Sequence, residues 1–230
     1  MLDPFGIAAS RTKKPARGTP HPVHPGWPES TAEVRTVSGL RVRLRPLRRG
    51  DGADWCEQRL VDQSWLQPVE PTAMRGWEAA HTKTAWLEHL RWLNIQARHG
   101  EIVPFVIEVD DEFAGQLTLG GIQHGTVASC WVGYWVASLM MGNSVATAAL
   151  ALGIDHAFER IGVHRITATY LPDNPASRQV LMNNGFREEG ILRGYLHIAG
   201  SWRDHQQASL LADDYSTSAT ARLRASGKLL

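Results

Sequence analysis

The stretch Met141-Gly142-Asn143-Ser144-Val145-Ala146 decides how this chain reads. It stands between a strand-like run, 130–136, and an Ala-rich, nearly uncharged helical run, 146–160. A small-residue loop feeding a helix start turns backbone N–H groups and the positive end of a helix dipole toward an anion. Met141, Gly142, Asn143, Ser144, Val145, Ala146 and Thr147 are therefore candidate anion-binding residues. An ordinary loop entering a buried helix fits the same letters, so the flanking segments must discriminate.

Upstream, Leu40, Val42 and Leu44 alternate with Arg41, Arg43 and Arg45, which predicts a strand with one wet face. Asp51 is placed to cap a helix carrying Trp55, Leu60 and Val61, and Pro68 and Pro71 then interrupt the chain. A helix is expected over 82–97, with Trp86, Leu90, Leu93 and Ala97 on one face. Val103, Phe105, Ile107 and Val109 make a strand, Asp110-Asp111 a turn, and 115–122 with 129–136 an antiparallel meander.

Downstream of the loop come the helix 146–160 and a strand, 165–171. Asn174 as N-cap and Pro175 at the first helical position open another helix, which Gly185 closes in a left-handed turn. Two strands near 186–198 and 202–211 turn at Ala199-Gly200. Strands first, then β-α-β-α-β-β, gives an α+β sheet with helices on both faces.

The 230 residues, 43% hydrophobic and 20% charged, suffice for one domain with a sizeable core. A net charge of +1 supplies no field to gather DNA or an acidic membrane. Cys56 and Cys130 form no motif and read as free thiols of a reducing cytoplasm. No run reaches the roughly 20 apolar residues of a membrane span, and the N-terminus lacks a signal-peptide core. Residues 1–33, holding six of the twelve prolines and a basic cluster, read as a disordered tail. Ribosome or RNA contact is the alternative use of that tail. His21 and His24 have no Cys or carboxylate beside them, so no metal site is assigned. Residues 34–212 form the expected domain, and 213–230, rich in Ser, Ala and Arg, a second loose end or frayed helix.

The order of elements and several motifs resemble the GNAT acyl-CoA N-acyltransferases, and within them the RimJ/RimL group. The resemblance is carried by Gly133-Tyr134-Trp135-Val136, the loop 141–146, and Asp173-Asn174-Pro175-Ala176-Ser177. Val180-Leu181, Asn184-Gly185-Phe186, Gly190-Ile191-Leu192-Arg193 and Trp202-Arg203-Asp204-His205 extend it, and 66–71 resembles a loop beside the acceptor. It implies the GNAT fold: a mixed, mostly antiparallel twisted sheet of about seven strands. It also implies acetyl transfer from acetyl-CoA directly to a primary amine, without a metal. The amine it implies is a protein N-terminus, a ribosomal protein first, in an enzyme acting as monomer or homodimer. An antibiotic, polyamine or other small amine is the alternative acceptor, and a CoA-binding or sensing module with little catalysis the alternative of another class.

The resemblance places the CoA diphosphate on the loop, whose family pattern is Gln/Arg-x-x-Gly-x-Gly/Ala. Met141 and Ser144 depart from it, Ala146 conforms, and Ser144 is strained if a positive φ is needed. It places pantetheine along Trp135 and Val136 and beside Asn174, with the Ser177 hydroxyl as acid to the departing thiolate. Asn174 and Ser177 also read as a plain helix cap, and Tyr134 and Tyr195 are the other hydroxyls. Where relatives carry a Glu two residues before the Gly-Tyr pair, this chain has Trp131. Glu70, Glu108 and His124 are then base candidates, each also readable as a surface group, and a water route suffices for an α-amine of pKa about 8. Cys130 reads as a half-buried structural thiol rather than an acyl carrier. Asp204 and His205 read as anchors of packing and loop, and Trp65, Trp77, Trp86 and Trp92 as walls of an apolar acceptor groove.

Overall fold

The structure, a computed structural model, describes residues 26–230. Alternating hydrophobic residues build one eight-stranded sheet in the order β1-β2-β3-β4-β5-β6-β8-β7. The strands are β1 Val34–Arg35, β2 Arg41–Pro46, β3 Ile102–Val109, β4 Glu112–Gln123, β5 Ser129–Val136, β6 Arg165–Tyr170, β7 Arg187–Ile198 and β8 Ser201–Leu211. The helices are α1 Gly52–Val61, α2 Gln63–Leu66, α3 Trp77–Ala80, α4 Lys83–Arg98, α5 Val145–His156, α6 Pro175–Asn183 and α7 Ala219–Ala225. The architecture is α+β, with eight strands against the seven expected from sequence. The two-residue β1, paired through Val34 and Val42, is too short to leave a sequence signature.

The helix α5 is apolar all round, and it lies in the middle of the larger core, with Leu150, Ile154 and Ala148 against Leu44, Phe105, Leu117 and Ile166. A helix without a wet face must be covered on every side. The sheet, α6 through Leu181, and α7 through Ala219 and Leu223 cover it. The other face of the sheet carries α1 and α4, where Trp55, Trp86 and Leu90 meet Val106 and Phe113. Thr82 caps α4 by accepting from the Ala85 N–H at 3.2 Å, while Asp51 does not cap α1. Its carboxylate instead takes the Arg45 guanidinium at 2.8 Å and the Arg48 N–H at 2.6 Å.

Residues 26–33 of the expected N-terminal tail are ordered, and the helical alternative for 213–230 is present as α7. Residues 26–33 belong to the folded unit: Gly26 O lies 2.9 Å from His156 Nε2, and Glu29 takes Arg160 at 2.6 Å. The Thr31 N–H donates to Leu44 O at 2.9 Å. The rest of the Pro-rich tail, with His21 and His24, lies outside the described residues. Residues 213–230 are likewise ordered. Ser218 caps α7, the Asp155 carboxylate accepts from Ala219 N–H at 2.5 Å and from Thr220 Oγ1 at 2.7 Å, and Leu229 is buried against the main core. Three core side chains in eleven residues, Ala219, Leu223 and Leu229, are too sparse for a periodic signal, yet they close the open side of α5.

Replacing Asp155 with Ala leaves the first turn of α7 without its charged acceptor. The expected loss is about 1–3 kcal/mol of stability, read as a lowered thermal midpoint with the far-ultraviolet spectrum retained.

Candidate functional site

Two neighbouring strands part company here. The strands β5 and β6 run parallel and pair only through Ser129–Arg165, Cys130–Ile166 and Trp131–Thr167. Beyond that point β5 stays with β4 to Val136, and β6 stays with β8 to Tyr170. The sheet forks, and residues 132–136 present a backbone edge to the opening. An unpaired edge inside a sheet accepts an extended ligand as an added strand.

Across the mouth of the fork, Asn174 accepts from the Ser177 N–H at 3.1 Å and opens α6, with Pro175 at its first position. The capping alternative for Asn174 therefore holds, and the Ser177 hydroxyl is left over. It faces the Tyr134 hydroxyl at 3.4 Å, a long contact. Burial pushes the Tyr134 phenol up to about 12, against the opposing bond to Ser177, so it stays a neutral O–H donor. Asn184 fixes α6 on α5, its Nδ2 donating to Thr147 O at 3.2 Å and Val180 O at 3.0 Å.

At the outer end of β5, the loop 141–144 enters α5 through Gly142 at φ 77° and Ser144 at φ 61°. Ser144 does take a positive φ, the condition under which strain is expected, and this conformation costs a non-glycine residue about 1–3 kcal/mol. No side chain of Ser144 caps the helix, so the first N–H groups of α5 lack a cap there. A Cβ on Gly142 would meet nothing within 4 Å, which leaves open space in front of the loop. A buried carboxylate holds this loop to the far side of the sheet. Asp62, at the end of α1, accepts from Ser138 N–H at 2.7 Å and Ser138 Oγ at 2.5 Å.

The opposite face of β5 carries Trp131, Gly133 and Trp135. Arg59 of α1 packs its guanidinium over Trp135 at 5.0 Å, over Trp77 at 5.1 Å and over Trp55 at 5.5 Å. Glu70 takes both guanidinium nitrogens of Arg59. From Glu70 the chain crosses to the β7–β8 hairpin, where Thr72 N–H donates to His197 O at 2.8 Å and Thr72 Oγ1 accepts from Gly200 N–H at 3.1 Å. The segment resembling an acceptor loop is thus a strap joining α1 to that hairpin.

None of the base candidates stands free beside the fork. Glu108 is buried rather than at the surface, clamped by Arg43 and Arg45. Glu70 is held by Arg59, and His124 has a buried Nε2 with no hydrogen-bond partner among the described residues. Cys130 is fully rather than half buried, and burial pushes its thiol up to about 12, which makes it inert as a nucleophile. Asp204 accepts from Gly194 N–H at 2.7 Å, and His205 is buried edge-on to Tyr195, so each anchors the hairpin. Trp77 and Trp86 are core residues, whereas Trp65 and Trp92 are exposed, so only the last two can wall a groove. Sequence reasoning missed Asp62 and Arg59: Ser138 and Trp135, which give them their places, lie 76 residues on.

The family described as acetyltransferase (GNAT) domain matches residues 41–187, from β2 to the start of β7. The chain belongs to the GNAT acetyltransferase family. A RimJ of Mycobacterium smegmatis, solved in complex with CoA-disulfide, is 48% identical and superposes with a TM-score of 0.88 over 90% of this chain and 98% of that one. The ribosomal-protein-S5-alanine acetyltransferase of Vibrio fischeri is 28% identical, TM-score 0.69, over 76% and 96%. The [ribosomal protein uS5]-alanine N-acetyltransferase of Escherichia coli is 27% identical over 83% of this chain and 97% of its own. A probable N-acetyltransferase of Bacillus subtilis, YjcK, is 36% identical over 105 residues, 58% of its own length. The GNAT and RimJ/RimL resemblance read from the motifs is borne out.

Two predictions follow from these local geometries. Ser144→Gly relieves the left-handed strain and raises stability by about 1 kcal/mol, read as a higher thermal midpoint. His81 and His89 are both held down to about 4, first by burial and then by the Arg59 charge. The unfolded histidines, near 6.5, bind protons that the folded ones refuse. Their contribution is complete above pH about 6.5 and is lost as the pH falls toward 4. Denaturant midpoints should therefore decline across that window, and less steeply in His89→Gln.

Proposed function

We propose that this protein transfers acetyl from acetyl-CoA to the N-terminal α-amine of a protein, with a ribosomal protein as the leading acceptor. The forked β5–β6 edge carries the donor half of this reading. The pantetheine arm pairs with backbone 132–136 as a short strand, passing Trp135 and Val136, and Asn174 and Ser177 flank its sulfur end. The diphosphate lies on the loop from Met141 to Ser144, before the N–H groups of Val145, Ala146 and Thr147. Main-chain groups do the holding, so Met141 and Ser144 are tolerated there. The open space before Gly142 and the uncapped first turn of α5 support this placement.

The chemistry requires a neutral amine, an electrophilic carbonyl and a proton for the leaving thiolate. An α-amine with a pKa near 8 is partly neutral at cellular pH, and a water removes the proton it sheds on attack. The Ser177 hydroxyl then donates to the departing sulfur. The Tyr134 phenol, un-ionised throughout the neutral range, positions Ser177 and can replace its proton.

The charge distribution favours a peptide over a polyamine. A polycation needs free carboxylates, and Asp173 beside Asn174 is taken by Arg203, Glu70 by Arg59, and Glu108 by Arg43 and Arg45, while Asp62 is held by Ser138. The names of the Escherichia coli and Vibrio fischeri relatives point to the same class of acceptor. Ribosomal acceptors imply a cytoplasmic enzyme, and no helix among the described residues is long and apolar enough to cross a membrane.

Release of free CoA, followed with a thiol reagent, tests the assignment. Peptides carrying ribosomal-protein N-termini should be turned over, and spermidine should not. Ser177→Ala should lower kcat on the order of 10²-fold while acetyl-CoA still raises the melting temperature. Full turnover by that variant would remove the acid assignment.

A further inference from the structure

The face of β5 turned away from α5 carries a slot whose side-chain space the functional assignments above leave unfilled. Cys130, Val132 and Tyr134 turn toward α5, so Trp131, Gly133 and Trp135 turn to the other face. Trp131 ends the β5–β6 pairing and stands at the vertex of the fork. Its indole lies flat over the backbone of β4: a Cβ on Gly120 would fall 2.2 Å from Trp131 Cζ2, and one on Gly121 2.9 Å from its Cδ1. With no side chains beneath it the ring is held down, and it remains 46% exposed. Four residues on, about 13 Å along the strand, Trp135 is fixed by Arg59 and Phe113.

Between the two indoles is Gly133. A Cβ built there meets only the rim of Trp131, at 3.5 Å, an ordinary contact. Its φ lies outside the left-handed region, so no backbone strain demands glycine at this point. A strand interior is a poor place for glycine, which gives up packing and entropy there. Neither clash nor conformation accounts for the missing side chain, and what it leaves is a notch walled by two indoles. The notch adjoins the backbone edge that β6 abandons.

We infer that this notch receives the amine-bearing first residue of the acceptor, with its side chain over Gly133 between Trp131 and Trp135. The inference rests on the peptide reading above and sharpens it. The occupant is a small uncharged side chain, because two walls are aromatic, Thr118 stands opposite Gly133 across the β4–β5 pair, and the Arg59 cation is packed against Trp135. Gly133 is then the specificity-determining position, and Trp131 the wall that sets the upper size limit.

Steady-state kinetics with acetyl-CoA and short peptides beginning with Gly, Ala or Leu test this in the full chain. Gly133→Ala adds one methyl where the structure has room and leaves the backbone amides of 132–136 in place, so it should fold, and any change in its acetyl-CoA Kd should be smaller than the change in its peptide KM. Its KM for the Ala peptide should rise on the order of tenfold or more, with a smaller rise for the Gly peptide. Trp131→Ala should do the reverse and improve the Leu peptide relative to Ala. Unchanged peptide KM in Gly133→Ala overturns the notch, as does a loss of acetyl-CoA affinity matching the loss for peptide, which would put Gly133 on the donor side. If the wild type binds acetyl-CoA but acetylates no peptide, the acceptor reading itself falls and takes the notch with it.

Discussion

Everything functional in this molecule depends on β5 and β6 ceasing to pair after Trp131 and Thr167. A parallel pair inside a sheet ordinarily satisfies both edges along its length. Here each strand is instead held by its other neighbour, β4 for β5 and β8 for β6, so the gap costs only the bonds across it. The remaining backbone groups are available to a ligand with an extended amide chain. Pantetheine is such a chain, and in the proposed placement its diphosphate end meets the first turn of α5.

The surroundings keep this gap in shape. On one face α5 is buried on all sides, so its N-terminus cannot shift without opening the core that α6 and α7 complete. On the other face, Arg59 is packed among Trp55, Trp77 and Trp135 and paired with Glu70. Cation–π contacts and a shielded ion pair of this kind reinforce each other away from water. The strap that begins at Glu70 ends on the β7–β8 hairpin, and Asp62 ties α1 to the loop before α5. The two sides of the fork are thus fastened to each other through two buried side chains, Arg59 and Asp62.

Much of the fold was legible because its signals are local. Alternation marked β2 and β3, and Asn174-Pro175 and Gly185 bracketed α6 where it stands. The loop before α5 was legible as a small-residue entry to the helix, but whether Ser144 takes a positive φ had to come from the structure. What escaped had its cause at a distance. The order of residues 26–33 comes from Arg160 and His156, more than a hundred residues on, and that of 213–230 from Asp155 and the open flank of α5. The burial of Glu108 could not be read from its own strand, since the two arginines that allow it belong to β2. The notch at Gly133 is likewise a property of two indoles and one missing side chain, visible only when the strand is placed against β4.

Amide hydrogen exchange with and without acetyl-CoA addresses the fork directly. Slowed exchange should be confined to residues 132–136 of β5 and the first turn of α5 around Val145, Ala146 and Thr147, with β7 and α7 unchanged. Bound acetyl-CoA that protects neither segment would contradict the role of the forked edge.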